Sequence, residues 1–264
     1  ELNFVPKEKY THAPEILQHC QNIAQHYDLY SRACLQTQVS GMSWNDSKKR
    51  WLIETDRGDA MHARFVIMSN GPLNRPKLPG IPGITDFKGH TFHTSRWDYH
   101  YTGGSSEGNL DRLADKRVAI IGTGATAVQC IPHLGAAAKS LHVFQRTPSS
   151  IDIRANRPTD SAWAKSLPEG WQKARMENFN ALTSGRIVEE DLVMDGWTEI
   201  IRNLISMANY RGKDIDPREI PKLMEIADFQ KMEQIRARVD AIVEDPKTAE
   251  ALKPYYRQFC KRPC

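Results

Sequence analysis

Hydrophobic positions change period several times along the chain, and each change predicts a different element. Residues 14–29 place apolar side chains on one face of a helix, and Pro14 suits its first turn. Strand-like patterns separated by turn residues follow at 35–44, 50–55 and 63–70. The third stretch has a nearly continuous apolar run from Phe65 to Met68, so we expect it to be the most deeply buried of the three.

A segment rich in proline and glycine, residues 71–86, ends this pattern. Neither a helix nor a central strand accommodates so many prolines, so we expect a semi-rigid linker between two domains. Residues 102–109 predict a second, flexible loop. Residues 116–148 then follow a strand–turn–helix–strand pattern, with strands at 118–121 and 141–145, the first of them buried. This β-α-β unit implies a parallel sheet.

From about residue 158 to 252 the sequence is typical of helices. Apolar side chains recur at mostly helical spacing through residues 219–243, and we interpret them as a core-facing stripe rather than as cofactor contacts. The members of this stripe are Ile220, Leu223, Met224, Ala227, Ile235, Val239 and Ile242.

Composition narrows the class of protein. A length of 264 residues suggests two domains, or one domain with an insertion. The net charge of +4 comes without a dense basic block, which does not indicate nucleic-acid binding but is compatible with a small anionic ligand. No apolar run approaches the ~18 residues of a membrane span. The chain begins at Glu1 and stops at KRPC, so we expect a segment of a longer protein.

The five cysteines are widely spaced along the chain. The closest pair, Cys260 and Cys264, has no second pair with which to form a metal site. An odd number of cysteines without a signal peptide favours reduced thiols and a cytoplasmic location.

The most informative motif is GTGATA, residues 122–127, which we call the nucleotide turn. Gly122 permits the tight turn after the strand, and Gly124, lacking a Cβ, lets a pyrophosphate approach the backbone. Ala127 is small enough for the following helix to pack against the strand. The helix N-terminus offers free N–H groups and a partial positive charge to the phosphates. The flanking strands and helix make a dinucleotide site more probable than a simple strand–helix connection.

The end of the second strand of the unit indicates which dinucleotide binds. An acidic side chain there would hydrogen-bond the adenosine ribose of NAD, whereas this chain has Arg146 and Thr147. A permanent cation and a hydroxyl group suit the 2′-phosphate of NADP. The alternative is that Arg146 is an ordinary surface arginine.

A compact aromatic and histidine-rich stretch, FKGHTFHTSRWD at 87–98, precedes this unit, and we call it the fingerprint segment. Its pattern F-x-G-x-x-x-H-x-x-x-W-[P/D] resembles the fingerprint of Baeyer–Villiger monooxygenases, class B flavoprotein monooxygenases. The matching residues are Phe87, Gly89, His93, Trp97 and Asp98. The proline-rich linker, the nucleotide turn and QRTP at 145–148 also resemble this family, so that the likeness covers essentially the whole chain.

The resemblance implies an α/β flavoprotein with two dinucleotide-binding domains, seen here as an internal segment. Part of the FAD domain would occupy residues 1–78, and a linker with the fingerprint would follow at 79–115. A complete or nearly complete Rossmann-type NADP domain would comprise 116–150 and 253–264, with a helical insertion at 151–252. The G-x-G-x-x-G turn of the FAD domain is absent from the sequence.

The resemblance also implies roles for particular residues. Lys261 would contact the NADP 2′-phosphate together with Arg146, and Arg262 would be the catalytic arginine beside the flavin and nicotinamide. Val39 would lie near the FAD adenine. His93 and Trp97 would couple domain movement to catalysis, although by themselves they could equally be a core histidine and a packing tryptophan. The other cofactor-binding residues implied for the nucleotide turn and its helix are Thr123, Ala125, Thr126 and Gln129.

The implied reaction uses NADPH, FAD and dioxygen to convert a ketone into an ester or lactone through a peroxyflavin. Where many relatives carry an aromatic residue after QRTP, this chain has Ser149 and Ser150, which puts substrate preference in doubt. One alternative is a flavin-containing monooxygenase that oxidises amines or sulfides, which usually lacks the tryptophan matched by Trp97. Another is a non-catalytic NADP-binding module whose helices at 158–252 serve an interaction.

Overall fold

A computed structural model describes residues 2–71, 75–186, 188–210 and 218–257. The strands in these ranges are β1 (Val39–Asn45), β2 (Arg50–Thr55), β3 (Ala60–Ala63), β4 (Arg117–Ile121) and β5 (Ser140–Phe144). The helices are α1 (Ala13–His26), α2 (Tyr99–Thr102), α3 (Ala125–Ala137), α4 (Ser161–Ser166), α5 (Trp171–Thr183), α6 (Glu199–Tyr210), α7 (Ile220–Ile242) and α8 (Pro246–Leu252). Short 3₁₀ turns lie at Tyr30–Arg32, Ile84–Asp86, Thr94–Arg96 and Asp111–Leu113.

The amino-terminal part of the chain, up to residue 71, forms helix α1 and an antiparallel meander in the order β1-β2-β3. The predicted helix and the first two strands are confirmed, but the third strand is not where we expected it. It ends at Ala63, and the following residues are irregular. The expected burial of Phe65–Met68 is wrong, since Phe65 is 81% exposed and Ile67 is 91% exposed.

The apolar faces of this amino-terminal part are largely uncovered by the described residues. No side chain of α1 is buried, and Ile16 and Leu17 on its apolar face are exposed. The meander likewise exposes Met42 and Trp44. Of the described residues up to 71, the one classed as buried is Thr55. The described residues up to 71 therefore form no hydrophobic core of their own.

The β-α-β unit forms as predicted, with β4 and β5 paired in parallel and joined by α3. Its core combines Ile120 of β4 with side chains from α3 and from the 3₁₀ turn before β4. The core residues are Leu110, Leu113, Ile120, Ala127 and Leu134. The expectation of a buried strand at 118–121 holds for Ile120 alone, because Ile121 is 59% exposed at the edge of this two-stranded sheet.

Residues 102–109 form a packed turn rather than the free loop that their composition predicts. Backbone groups of Ser105 and Gly108 exchange two hydrogen bonds of 3.0 Å. A Cβ on Gly104, whose φ is +71°, would lie 2.2 Å from the carbonyl oxygen of Gly108. The glycines here permit close packing of backbone on backbone instead of flexibility.

The last part of the described chain is helical, as predicted, and α7 packs against α6 and α8. The centre of the predicted stripe is confirmed, because Leu223, Ala227 and Ile235 are buried. The prediction is wrong for Met224 and Ile242, whose side chains are exposed. Within the described ranges, no helix is long and apolar enough to cross a membrane.

Candidate functional site

The nucleotide turn has the backbone geometry that its glycines predict. Gly122 has φ = +103°, a conformation that side chains rarely adopt, directly after β4. An added Cβ on Gly122 or Gly124 would meet no described atom within 4 Å, so the space above both glycines is open. Ala127 points the other way, into the core, where only a small side chain lets α3 lie close to β4.

Helix α3 starts at this turn without a side-chain cap. Gly124 is its N-cap residue, and no described side chain bonds to the first N–H groups of the helix. Those N–H groups and the helix dipole make the end of α3 suitable for an anion. Thr126 lies in this first turn, whereas the amide of Gln129 donates 3.0 Å back to the Ala125 carbonyl. The Gln129 side chain is thus engaged within its own helix.

Parallel pairing brings the end of β5 beside the nucleotide turn. The backbone N–H of Gly122 donates to the carbonyl of Phe144 at 2.8 Å, so residues 145–149 leave the sheet alongside the turn. Arg146 is exposed there, and its guanidinium has no hydrogen bond or ion pair with any described residue. A free arginine beside a helix N-terminus gives two separate positions for negative charge, which matches a dinucleotide with a 2′-phosphate.

Hydrogen bonds fix the backbone around Arg146. The hydroxyl of Thr123 donates to the carbonyl of Thr147 at 3.1 Å, and the hydroxyl of Ser149 donates to the carbonyl of Thr123. From the opposite side, Gln145 donates to the Ala251 carbonyl and Tyr256 to the Pro148 carbonyl, each at 2.8 Å.

The fingerprint segment is held together by its own side chains. The ring of Phe87 lies over Gly89, where an added Cβ would come within 2.4 Å of the ring. Trp97 packs against the core of the β-α-β unit and meets Phe92 edge to face, with ring centroids 5.3 Å apart. These contacts explain why an aromatic residue, a glycine and a tryptophan occur at these positions.

The two polar members of the fingerprint act on the local backbone. Nδ1 of His93 accepts a hydrogen bond from the backbone N–H of Ser95 at 3.1 Å and caps the 3₁₀ turn. His93 is exposed, so the alternative of a core histidine is wrong. Asp98 caps α2 by accepting from the N–H of Tyr101 at 3.0 Å, and Nε2 of His90 lies 2.8 Å from its other oxygen. The Tyr101 N–H bond, with help from His90, lowers the pKa of Asp98.

One predicted site residue belongs to the meander rather than to the β-α-β unit, and two more are not among the described residues. Val39 is half exposed at the start of β1, opposite Thr55 and next to a β-bulge. Lys261 and Arg262 fall outside the described residues. The structure therefore brings together the nucleotide turn, Arg146 and Thr147.

Sequence reasoning missed a charged cleft of about 240 Å³ beside the segment that follows β5. Lys231 of α7 is 5% exposed, and its Nζ lies 2.6 Å from both Asp152 and Glu199. Burial lowers the pKa of a lysine, but the hydrogen bonds to these two carboxylates outweigh burial and raise the pKa of Lys231. The ion pairs connect α6 and α7 to the chain just beyond Arg146.

A buried carboxylate, Asp191, lies beside α6 near this cleft. It accepts hydrogen bonds from the backbone N–H groups of Val193 and Met194 at 2.9 and 3.0 Å. Arg202 pairs with its other oxygen at 2.5 Å. Burial alone would raise the pKa of Asp191, yet these bonds and that of Thr198 bring it down to about 2.

Known proteins resemble this chain from end to end. The family profile described as pyridine nucleotide-disulphide oxidoreductase matches residues 1–183. Neopentalenolactone D synthase of Streptomyces avermitilis is 59% identical over 100% of this chain and 44% of its own length. A Baeyer–Villiger monooxygenase of Stachybotrys chlorohalonatus is 55% identical over 100% of this chain and 42% of its own length. The chain thus spans less than half the length of these curated relatives.

Solved structures give the same result. The polycyclic ketone monooxygenase from the thermophilic fungus Thermothelomyces thermophila superposes with a TM-score of 0.84 at 39% identity, covering 99% of this chain and 44% of that one. A crystal structure of OTEMO in complex with FAD and NADP has a TM-score of 0.68 at 26% identity, covering 96% of this chain and 48% of that one. The likeness to Baeyer–Villiger monooxygenases and the two-dinucleotide α/β fold, both expected from the sequence, are confirmed.

Proposed function

The chain belongs to the pyridine nucleotide-disulphide oxidoreductase family, and we propose that it is an internal segment of an NADPH- and FAD-dependent Baeyer–Villiger monooxygenase. The intact enzyme would convert a ketone into an ester or lactone. The complete fingerprint at 87–98 supports this activity. A relative named as a Baeyer–Villiger monooxygenase, which matches the whole chain, supports it as well. We use "full-length protein" below for the polypeptide that contains these residues.

The observation that carries the cofactor assignment is the free guanidinium of Arg146 beside the uncapped nucleotide turn. The N–H groups at the start of α3 would hold the pyrophosphate of NADP, in the open space above Gly122 and Gly124. Arg146 would bind the 2′-phosphate in a bidentate manner, and Lys261 would add a second cation. Each of these groups offers a donor to an anion, so the residues present fit NADP.

FAD and NADPH, when bound, would supply the reducing power and the activation of dioxygen that transfer one oxygen atom to the ketone. The chain itself would contribute Val39 near the FAD adenine and Arg262 near the reacting groups. An arginine stays protonated at any working pH, so Arg262 would hold a fixed positive charge where negative charge develops. The fingerprint segment would position the two domains, because its polar groups are occupied in capping local turns.

The division into domains follows the same proposal: 1–78 for FAD, 79–115 for the linker, 116–150 with 253–264 for NADP, and 151–252 for the helical insertion. The uncovered apolar faces of α1 and the meander fit a partial FAD domain that packs against further polypeptide. The cysteines in the described ranges, Cys20, Cys34 and Cys130, are free thiols, which fits the cytoplasmic location that we propose.

The absorption spectrum tests this proposal and separates it from a non-catalytic NADP-binding module. We expect the purified full-length protein to show a flavin band near ~450 nm that is bleached by NADPH without oxygen. We expect ketones to increase its consumption of NADPH in air. A protein without a flavin band would contradict the monooxygenase assignment and favour the binding module. Ester or lactone products formed from ketones, as opposed to N-oxides or sulfoxides formed from amines or sulfides, would exclude the amine- or sulfide-oxidising alternative.

A further inference from the structure

Ser149 follows Arg146 by three residues and contacts the nucleotide turn, and the motif assigns it no role. From this placement we propose that Ser149 is a positioning residue for NADP selectivity, acting through Thr123 of the nucleotide turn. The inference rests on the proposed function, because it presumes that Arg146 and the turn bind the two ends of one NADP molecule.

The two segments that would hold the cofactor are joined by two hydrogen bonds, each donated by a hydroxyl group. Thr123, between the two glycines of the turn, donates its hydroxyl to the Thr147 carbonyl at 3.1 Å. The hydroxyl of Ser149 in turn donates to the backbone carbonyl of Thr123. We call this pair of hydrogen bonds the hydroxyl bracket. It joins residues 24 and 26 positions apart in the chain and links the turn to the segment with Arg146.

Burial shows that the bracket is part of a packed structure. Thr123, Thr147 and Ser149 are all half-buried, and Ser150 next to them is fully buried. The hydroxyl of Ser150 has no hydrogen-bond partner among the described residues, so Ser149 supplies the link to the turn at this point. Tyr256 fixes the intervening Pro148 carbonyl from the opposite side. The backbone after Arg146 is therefore restrained by hydrogen bonds to the turn and to Tyr256, while the Arg146 guanidinium has no partner in the described part of the chain.

This arrangement has an expected consequence for binding. A dinucleotide with a 2′-phosphate contacts both the turn and Arg146, so it benefits when their separation is fixed before binding. NAD lacks the 2′-phosphate and would engage the turn without Arg146. Loss of the Ser149 hydroxyl should therefore weaken NADP binding selectively, while a general loss of structure would weaken both cofactors.

The chain offers matched variants for the test, to be made in the flavin-loaded full-length protein. Ser149→Ala removes the hydroxyl, and Ser149→Thr retains it. We expect Ser149→Ala to raise the Kd of NADP⁺ about five- to tenfold, the size of one lost hydrogen bond, with less than about a twofold change for NAD⁺. We expect Ser149→Thr to bind NADP⁺ like the wild type. If Ser149→Ala does not fold, Thr123→Val compared with Thr123→Ser removes the other hydrogen bond of the bracket, from Thr123 to the Thr147 carbonyl, and should weaken NADP⁺ binding with the same selectivity.

The outcomes separate this inference from the proposed function. Equal weakening of NADP⁺ and NAD⁺ binding in Ser149→Ala, or no change in either, would overturn the role of Ser149. The proposed function would still hold if the wild type prefers NADP⁺. A wild-type protein without that preference would overturn the NADP assignment, and the role of Ser149 with it. Selective weakening in Ser149→Ala, with recovery in Ser149→Thr, supports the inference.

Discussion

The indole Nε1 of Trp97 donates a hydrogen bond of 3.0 Å to the hydroxyl of Thr102. The same hydroxyl lies 3.1 Å from the carbonyl oxygen of Asp98, so it connects the last two fingerprint positions. Thr102 is 1% exposed and lies outside the fingerprint pattern. The fingerprint tryptophan is therefore fixed by a buried residue that its motif does not include.

Removing the Thr102 hydroxyl should destabilise this region. In Thr102→Val the indole N–H of Trp97 loses its partner in a half-buried setting, which typically costs about 1–3 kcal/mol. We expect the free energy of unfolding in urea to fall by about that amount. Thr102→Ser keeps the hydroxyl and should remain closer to the wild type. Equal stability of the valine variant and the wild type would show that the bond contributes nothing.

Arg146 should discriminate between the two nicotinamide cofactors. Arg146→Ala removes the cation proposed for the 2′-phosphate, so we expect the KM for NADPH to rise at least about tenfold while that for NADH changes little. Lys139→Ala removes an exposed charge before the start of β5, at the opposite end of that strand, and serves as the matched control. Steady-state kinetics with both cofactors measure the effect. Equal changes for NADPH and NADH would reject the 2′-phosphate assignment.

The buried Lys231 should contribute to the stability of the fold, because its ammonium group balances the charge of two carboxylates around it. In Lys231→Met, Asp152 and Glu199 face each other without the ammonium group that lies 2.6 Å from each. Breaking a buried ion pair in this way costs about 3–5 kcal/mol, and the lower end applies because both acids keep some exposure. We expect a corresponding loss in urea unfolding. Adding Asp152→Asn and Glu199→Gln should restore much of it, and a triple variant no more stable than Lys231→Met would contradict this account.

Asp191 should make stability depend on acid pH. Its pKa is about 2 in the folded protein, below the ordinary value of 3.8, so the folded state favours the charged form. The resulting stabilisation is fully present above about pH 4 and is lost as the pH falls towards 2. The shift corresponds to roughly 2 kcal/mol. We expect the difference in unfolding free energy between the wild type and Asp191→Asn to shrink by that amount over this pH range. A difference independent of pH would contradict it.

The sequence predicted most elements because their signals are local. The apolar period of α1, the strand β2 and the β-α-β unit each lie within a short window, and their bounds match closely. The third strand was misplaced for a local reason as well. A tight turn, in which the Thr55 N–H donates to the Asp59 carbonyl at 3.0 Å, pairs Ala60 with Glu54 and ends the pairing at Ala63. The apolar run that follows looked like a strand from its composition alone.

Burial and side-chain partners were harder to predict than elements. An apolar face indicates where a helix or strand packs only if covering polypeptide is present, and Ile16 and Phe65 remain exposed. Lys231 was missed because a charged residue within a helical pattern is normally assigned to the solvent face. The contact of Ser149 with Thr123 joins residues 26 positions apart beside the parallel pair β4 and β5, and a predicted pairing does not specify which side chains meet beyond the strand ends.

The backbone of the candidate site could be predicted from the sequence, whereas the partners of its side chains could not. Gly122 has the positive φ that the tight turn requires, and the space above Gly122 and Gly124 is open, as the motif predicts. The sequence could place Arg146 at the end of β5, but only the structure shows that its guanidinium has no partner among the described residues. The capping role of His93 could not be predicted from the motif, because it depends on the local fold of the fingerprint segment.

The most direct measurement of the central claim is the mass of the product formed from a ketone by the full-length protein with NADPH under ¹⁸O₂. Insertion of one oxygen atom from dioxygen predicts an ester or lactone that carries a single ¹⁸O and forms in proportion to the NADPH consumed. A ketone recovered unchanged while NADPH is oxidised, or oxygenation confined to an amine or sulfide supplied in its place, would contradict the Baeyer–Villiger assignment.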